Sequence, residues 1–96
     1  MNYFAVSYSY PADSEAIASI RPIHREFLGT LKDRGILVGS GPFLDQDGGA
    51  LIVIRLPEGA TVVEATELMD KDPFHTESAL DGRSIRPWNP VLNVFN

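Results

Sequence analysis

The sequence predicts an α+β domain in which a four-stranded antiparallel sheet carries two helices on one face, the elements running in the order βαββαβ. Three observations predict it. A run of β-formers, Tyr3 to Tyr8, opens the chain. Two further β-rich runs, Ile36 to Phe43 and Ala50 to Leu56, are separated by Asp45-Gln46-Asp47-Gly48-Gly49, where Asp47-Gly48 is a good hairpin signal. Helical patterns follow Arg21-Pro22 and Thr61, one on each side of that hairpin. A chain of 96 residues fits one domain, residues 1–96, and leaves no room for two.

Each element has a local reason. Pro11, Ala12 and Asp13 end the first strand, and Ser14 to Ile20 reads as a connection or a loose first turn. Arg21-Pro22 opens the main helix, because proline at the first helical position lacks an N–H that would have no partner there. Ile23, Phe27 and Leu31 recur at i, i+4 and i+8, and Leu28 widens the stripe. Lys32 and Arg34 fall in the last turn, where cations oppose the helix dipole, and Gly35 suits the C′ position. Gly39 and Gly41 then make the second strand irregular.

The third strand, Ala50 to Leu56, is apolar until Arg55. Thr61-Val62-Val63-Glu64 has the form of a capping box, so a second helix starts there and turns Val62, Ala65, Leu68 and Met69 inward. Asp72-Pro73 interrupts it, since the residue before proline is pushed out of the helical region. Asp72 can then cap a further turn from Pro73 to about Leu80. Asp81-Gly82 is a turn. Ser84 to Arg86 and Val91 to Phe95 form the last strand region, which Pro87 and Pro90 make an edge or a bulged strand.

Composition narrows the partners. Thirteen acidic residues against 8 basic give a net charge of −5, which favours solubility and argues against nucleic acid or an anionic membrane. The absence of cysteine excludes disulfides, thiolate metal sites and cysteine nucleophiles. The start, Met1 to Val6, lacks a basic n-region, and no apolar run reaches the ~18 residues of a membrane span. Cytoplasmic residence is the expectation. Two helices cover one face of the sheet, and the third strand lacks polar alternation, so both its faces call for burial. A homodimer packing two sheets across a two-fold axis, or a higher homo-oligomer, would supply that burial. The alternative is a monomer whose loops and tail cover the face.

Four short motifs carry a family resemblance over nearly the whole chain. They are Arg21-Pro22-Ile23-His24, Gly35-Ile36-Leu37 leading to Gly39-Ser40-Gly41-Pro42, Lys71-Asp72-Pro73-Phe74, and Arg86-Pro87-Trp88. In this order and spacing the chain resembles the YciI-like (YCII-related) family. The resemblance implies a ferredoxin-like fold of the dimeric α+β barrel type and a His–Asp pair at the active site, falling here on His24 and Asp72. It places the glycine–proline segment on Gly41-Pro42. One member of the family is a dehydrochlorinase of a chlorinated hydroxyhydroquinone, so the fold can host catalysis. The loop Asp45 to Gly49 is shorter than in many relatives, which leaves substrate size open.

The residues carry their own chemistry. His24 flanks the apolar stripe of the main helix, and an imidazole, ordinarily titrating near pH ~6.5, can give or take a proton at neutral pH. The bland alternative is a boundary histidine bonded to a backbone carbonyl. Asp72 already has work as an N-cap; it could also orient an imidazole and stabilise its protonated form. Ser40, between Gly39 and Gly41, is a candidate for a substrate hydroxyl or carboxylate, although a β-bulge explains the glycines equally well. No nucleophile elbow accompanies it. Arg21 could hold an anionic substrate or be a solvated first-turn residue, although a cation near a helix N-terminus is unfavourable for the dipole. Trp88 and Phe74 read as core or interface aromatics.

No cofactor is expected, because there is no P-loop and Gly39-Ser40-Gly41 lacks a third glycine and a following helix. Two histidines without an acidic cluster argue against structural zinc; a His24, His75 and Asp72 triad is the one metal arrangement left open. The leading expectation is a cofactor-independent lyase, isomerase or hydrolase acting on a small polar or aromatic molecule. His24 would be its general acid/base, Asp72 its orienter, and Arg21, Ser40, Gly41 and Pro42 its substrate contacts. Competing with it is a non-catalytic dimeric module that binds a small metabolite or assists another protein. An antibiotic-biosynthesis-type monooxygenase is a third reading, disfavoured by the Arg-Pro-x-His and Asp-Pro-Phe patterns.

Overall fold

A computed structural model describes residues 1–95 of the chain. Its elements are β1 (Asn2–Ser9), α1 (Glu15–Asp33), β2 (Leu37–Pro42), β3 (Ala50–Leu56), α2 (Val62–Met69), α3 (Pro73–Thr76) and β4 (Gly82–Trp88). The four strands form one sheet in the order β2-β3-β1-β4, with every neighbouring pair antiparallel. Phe4, Val6 and Tyr8 of β1 alternate with Ala5 and Ser7, and with Ile52 and Ile54 of β3 they line the helix side of the sheet. Ile17, Leu28 and Leu31 of α1, Ala65 and Met69 of α2, and Phe74 of α3 close this core.

The main helix starts earlier than the sequence suggests. Ser14, not Arg21, opens it: the Ser14 hydroxyl accepts the Ile17 N–H at 3.2 Å, and Glu15 lies in the first turn. Pro22 therefore sits inside the helix, where it removes one hydrogen bond. Starting at Glu15 adds Ile17, and the buried face is centred one position away from the expected Ile23 stripe. Ile17, His24, Leu28 and Leu31 point inward, whereas Ile23 is 47% exposed. His24 thus lies within the buried stripe and not beside it. At the other end Gly35 takes φ +73°. Its N–H donates to the Lys32 carbonyl, and the Ile36 N–H to that of Leu31, in a Schellman motif.

Other boundaries follow from pairing. β2 carries a bulge between Leu37 and Gly39, which turns its glycine segment relative to β3. The Thr61 side chain makes no capping bond, so the expected capping box is not formed, and Val62, expected on the buried face, is 36% exposed. The turn after Asp72 ends at Thr76, not near Leu80. Residues Val91 to Phe95 are not a strand. Tyr3 pairs with Trp88, so β1 has almost run out where β4 ends, and nothing remains for the following residues to pair with. β4 is an edge strand, which accommodates Pro87. The tail instead brings Phe95 onto Tyr3 and Trp88, with ring centroids 6.0 and 6.4 Å apart. Beyond that contact the face away from the helices leaves Leu51 and Trp88 about two-fifths exposed, at 41% and 42%.

Gly48 and Gly49 both have φ +81° in the β2–β3 turn, and a Cβ there would strike the carbonyls of Tyr10 and Tyr8 respectively. Gly29, inside α1, has open space where a Cβ would go. Gly48→Ala should lower the unfolding free energy by about 2 kcal/mol, while Gly29→Ala should raise it by roughly 0.5–1 kcal/mol. Urea denaturation followed by circular dichroism checks both.

Candidate functional site

Three elements converge on one carboxylate. Asp72 stands before Pro73 in an extended conformation (φ −65°, ψ 128°), as the proline requires. That conformation makes it the N-cap of α3, with Oδ1 accepting the Phe74 N–H at 3.0 Å. The side chain is fully buried, and a buried carboxylate is tolerated only when its oxygens are satisfied. Tyr8, pointing inward from β1, donates its hydroxyl to Oδ2 at 2.7 Å. His24, pointing inward from α1, places Nδ1 2.9 Å from both oxygens.

The charge assignment follows from these partners. An ionised carboxylate only accepts, so Nδ1 carries the proton and donates it. Tyr8 stays a donor because its hydroxyl is held far above its ordinary pKa. Burial is the largest cause, followed by the charge of Asp72 and the hydrogen bond to it; the Arg83 guanidinium opposes the shift. The imidazole is clamped from the side as well. Phe74 stacks on it with centroids 3.8 Å apart and planes 11° from parallel. Tyr8 and Tyr10 meet Phe74 edge-on at 6.3 and 5.9 Å. Position and tilt of the ring are thereby fixed, with 7% of His24 still exposed.

His24 lines a small hollow of about 100 Å³ between α1 and the turn end of the β2–β3 hairpin. Arg21, Ser40, Gly41 and Pro42 line the same hollow, so the structure gathers every sequence-derived contact candidate around the imidazole, while Asp72 lies behind it. Arg21 is in the second turn of α1 and not the first, which removes the expected conflict with the helix dipole. Among the described residues no hydrogen bond joins Ser40 to His24, so no Ser–His–Asp chain is formed. His75 turns away: its Nε2 lies 3.4 Å from Asp70, which also accepts from Arg83 at 2.7 Å. The His24, His75 and Asp72 arrangement is therefore not assembled. No group of three His, Cys, Asp or Glu side chains among the described residues could hold a metal ion.

Sequence reasoning misses Tyr8, Phe74 and Arg25 as parts of this site. The inward alternation Phe4, Val6, Tyr8 was a usable signal for the tyrosine. Arg25, four residues after Arg21, lies on the same side of α1 and also lines the hollow. A larger hollow of about 510 Å³ lies near the start of β1, the end of β4 and Thr61. It has no His, Asp, Glu, Lys or Arg in its lining.

Comparisons with known proteins bear on the fold and the family. Residues 1–89 match the YCII-related domain. Among curated proteins none matches the chain. The 5-chloro-2-hydroxyhydroquinone dehydrochlorinase TftG from Burkholderia phenoliruptrix AC1100, solved with 2,5-dihydroxybenzoquinone, superposes with a TM-score of 0.73. The match spans 93% of this chain and 94% of that one at 15% identity. An antibiotic biosynthesis monooxygenase superposes with a TM-score of 0.55 at 14% identity, over 91% of this chain and 96% of that one. At such identities the likeness is one of fold. The chain has the ferredoxin-like fold of the dimeric α+β barrel type. No helix among the described residues is long and apolar enough to cross a membrane.

The tyrosine bond has a measurable weight. Tyr8→Phe removes a buried donor to a charged acceptor and should cost about 2 kcal/mol in urea denaturation at neutral pH. The pH dependence has a definite sign. In the unfolded chain Tyr8 loses its proton near the ordinary value of 10.0, while in the folded chain it keeps it. The folded state then binds more protons, so this contribution is fully present below pH ~10 and declines above it. Above that pH the wild type should lose up to about 1.4 kcal/mol per pH unit more than Tyr8→Phe. Denaturation midpoints of both proteins across the alkaline range give the comparison.

Proposed function

The chain belongs to the YCII-related family, and from that premise we propose that it is a cofactor-independent enzyme that moves protons on a small polar or aromatic molecule. His24 is the general acid/base and Asp72 its orienter. The observation that carries this reading is the bond from Nδ1 to the buried Asp72 carboxylate. It selects one tautomer and leaves Nε2 as the nitrogen that serves a molecule in the hollow. Phe74 holds the ring plane, so proton transfer needs no reorientation of the base.

Elimination, isomerisation and hydrolysis all suit such a pair. Ser40 and the Gly41-Pro42 backbone lie across the hollow from α1 and act as contacts that position the substrate. Dehydrochlorination, the reaction named for the TftG structure, is one elimination of this type and belongs in the set to be tried here. The protein works in the cytoplasm as a homodimer or larger homo-oligomer in this proposal. The half-exposed Leu51 and Trp88 on the uncovered sheet face support that assembly.

A second reading, a non-catalytic dimeric module for small-molecule binding or assistance to another protein, draws on one observation. The hollow, at about 100 Å³, is small for a substrate. Turnover separates the two. Purified protein is presented with a panel of cofactor-free elimination, isomerisation and ester-hydrolysis substrates, alongside His24→Asn and Asp72→Asn. The expected outcome is one substrate class whose kcat falls by roughly 10²-fold or more in His24→Asn. Turnover unchanged in that variant removes the mechanism, and no turnover by the wild type across the panel favours the binding module.

A further inference from the structure

Two arginines at the hollow have no counter-charge. Arg21 and Arg25 both line it, on the same helix as His24 and on either side of it in sequence. At helical spacing the neighbours of Arg21 are Ile17, Ala18, His24 and Arg25; those of Arg25 are Arg21, Pro22, Leu28 and Gly29. None is acidic. Among the described residues neither guanidinium forms a salt bridge, although the chain carries 13 acidic side chains. Like charges at i and i+4 destabilise a helix, so this pair works against α1 unless an anion joins it. The carboxylate of this site, Asp72, is committed to Tyr8, His24 and the Phe74 N–H, and lies behind the imidazole.

We propose that Arg21 and Arg25 form an anion-binding edge of the hollow, and that the molecule taken there is a small organic carboxylate. The inference rests on the acid/base reading of His24 and specifies the substrate class for the same site. A planar guanidinium matches a carboxylate through paired N–H donors, and two of them on one helix face fix where the charge sits. With the charge held there, the rest of a small acid extends toward the imidazole, Ser40 and the Gly41 backbone. Arg25, absent from the sequence-derived candidates, is on this view a specificity residue equal to Arg21.

The test is binding, read independently of turnover. Acetate and benzoate, with their neutral counterparts acetamide and benzamide, are titrated into the ¹⁵N-labelled protein while the His24 imidazole and Gly41 amide signals are followed by NMR. At least one carboxylate should shift these signals, more tightly than its amide and less tightly as salt rises. The Arg21→Gln/Arg25→Gln double variant should weaken that carboxylate by about tenfold or more, while Lys32→Gln, a charge control at the far end of α1, should not. The proposal is overturned if neither carboxylate shifts the signals, if amides bind equally well, or if Lys32→Gln weakens binding as much. Folding of each variant is read from the same spectra. Loss of turnover in His24→Asn alongside charge-independent binding would sink this inference alone; charge-dependent binding without any His24-dependent turnover would sink the acid/base reading alone.

Discussion

The carboxylate of Asp72 is the constraint around which the structure is arranged. A fully buried negative charge is stable only when each oxygen finds donors, and here the donors come from α1, β1 and the backbone of α3. These segments are far apart in the chain: 64 positions separate Tyr8 from Asp72, and 48 separate His24 from it. Satisfying one carboxylate therefore ties the first strand, the first helix and the last helical turn together. The same bonds that make burial tolerable also set the imidazole's tautomer and plane. If His24 is the acid/base proposed above, stability and chemistry share their contacts at this point, and substitutions there disturb both.

The sheet explains why the hollow lies where it does. β2 is an edge strand with a bulge at its glycine segment, and it meets α1 beside His24. The bulge and the small side chains keep that strand from closing fully on the helix. Gly48 and Gly49 then turn the chain tightly against the Tyr8 and Tyr10 carbonyls, which anchors the hairpin to the end of β1. The opposite face of the sheet is treated differently. Phe95 rests on Tyr3 and Trp88, so the tail covers one corner and leaves the Leu51 region open.

Much of this was legible locally. The Ala50–Leu56 strand, the Gly35 cap and the Asp72 cap each depend on a few adjacent residues, and pattern and stereochemistry suffice for them. The start of α1 was not. Pro22 is a good first residue for a helix, but the Ser14 cap and the burial of Ile17 carry the helix through it. The added stretch, about two turns, puts Ile17 on the buried face with His24, which lies within the apolar stripe and not at its edge. The tail was misleading for another reason: Val91 to Phe95 has strand composition, yet a strand needs a partner, and β1 has none left to offer.

What the sequence by itself determined is the alternation of elements, the antiparallel hairpin, and the candidacy of His24, Asp72 and the residues at the glycine–proline segment. Apart from the Gly41-Pro42 contacts, which the family resemblance implies, these follow from period, turn chemistry and residue type, which act over a few positions. Only the tertiary structure decided that the imidazole and the carboxylate are bonded, that Tyr8 and Phe74 complete their surroundings, and that His75 belongs to Asp70 instead. The physical reason is that hydrogen bonds and ring stacking act over about 3–4 Å, and which side chains come that close is set by the packing of helices on the sheet, a property no short stretch of the chain contains.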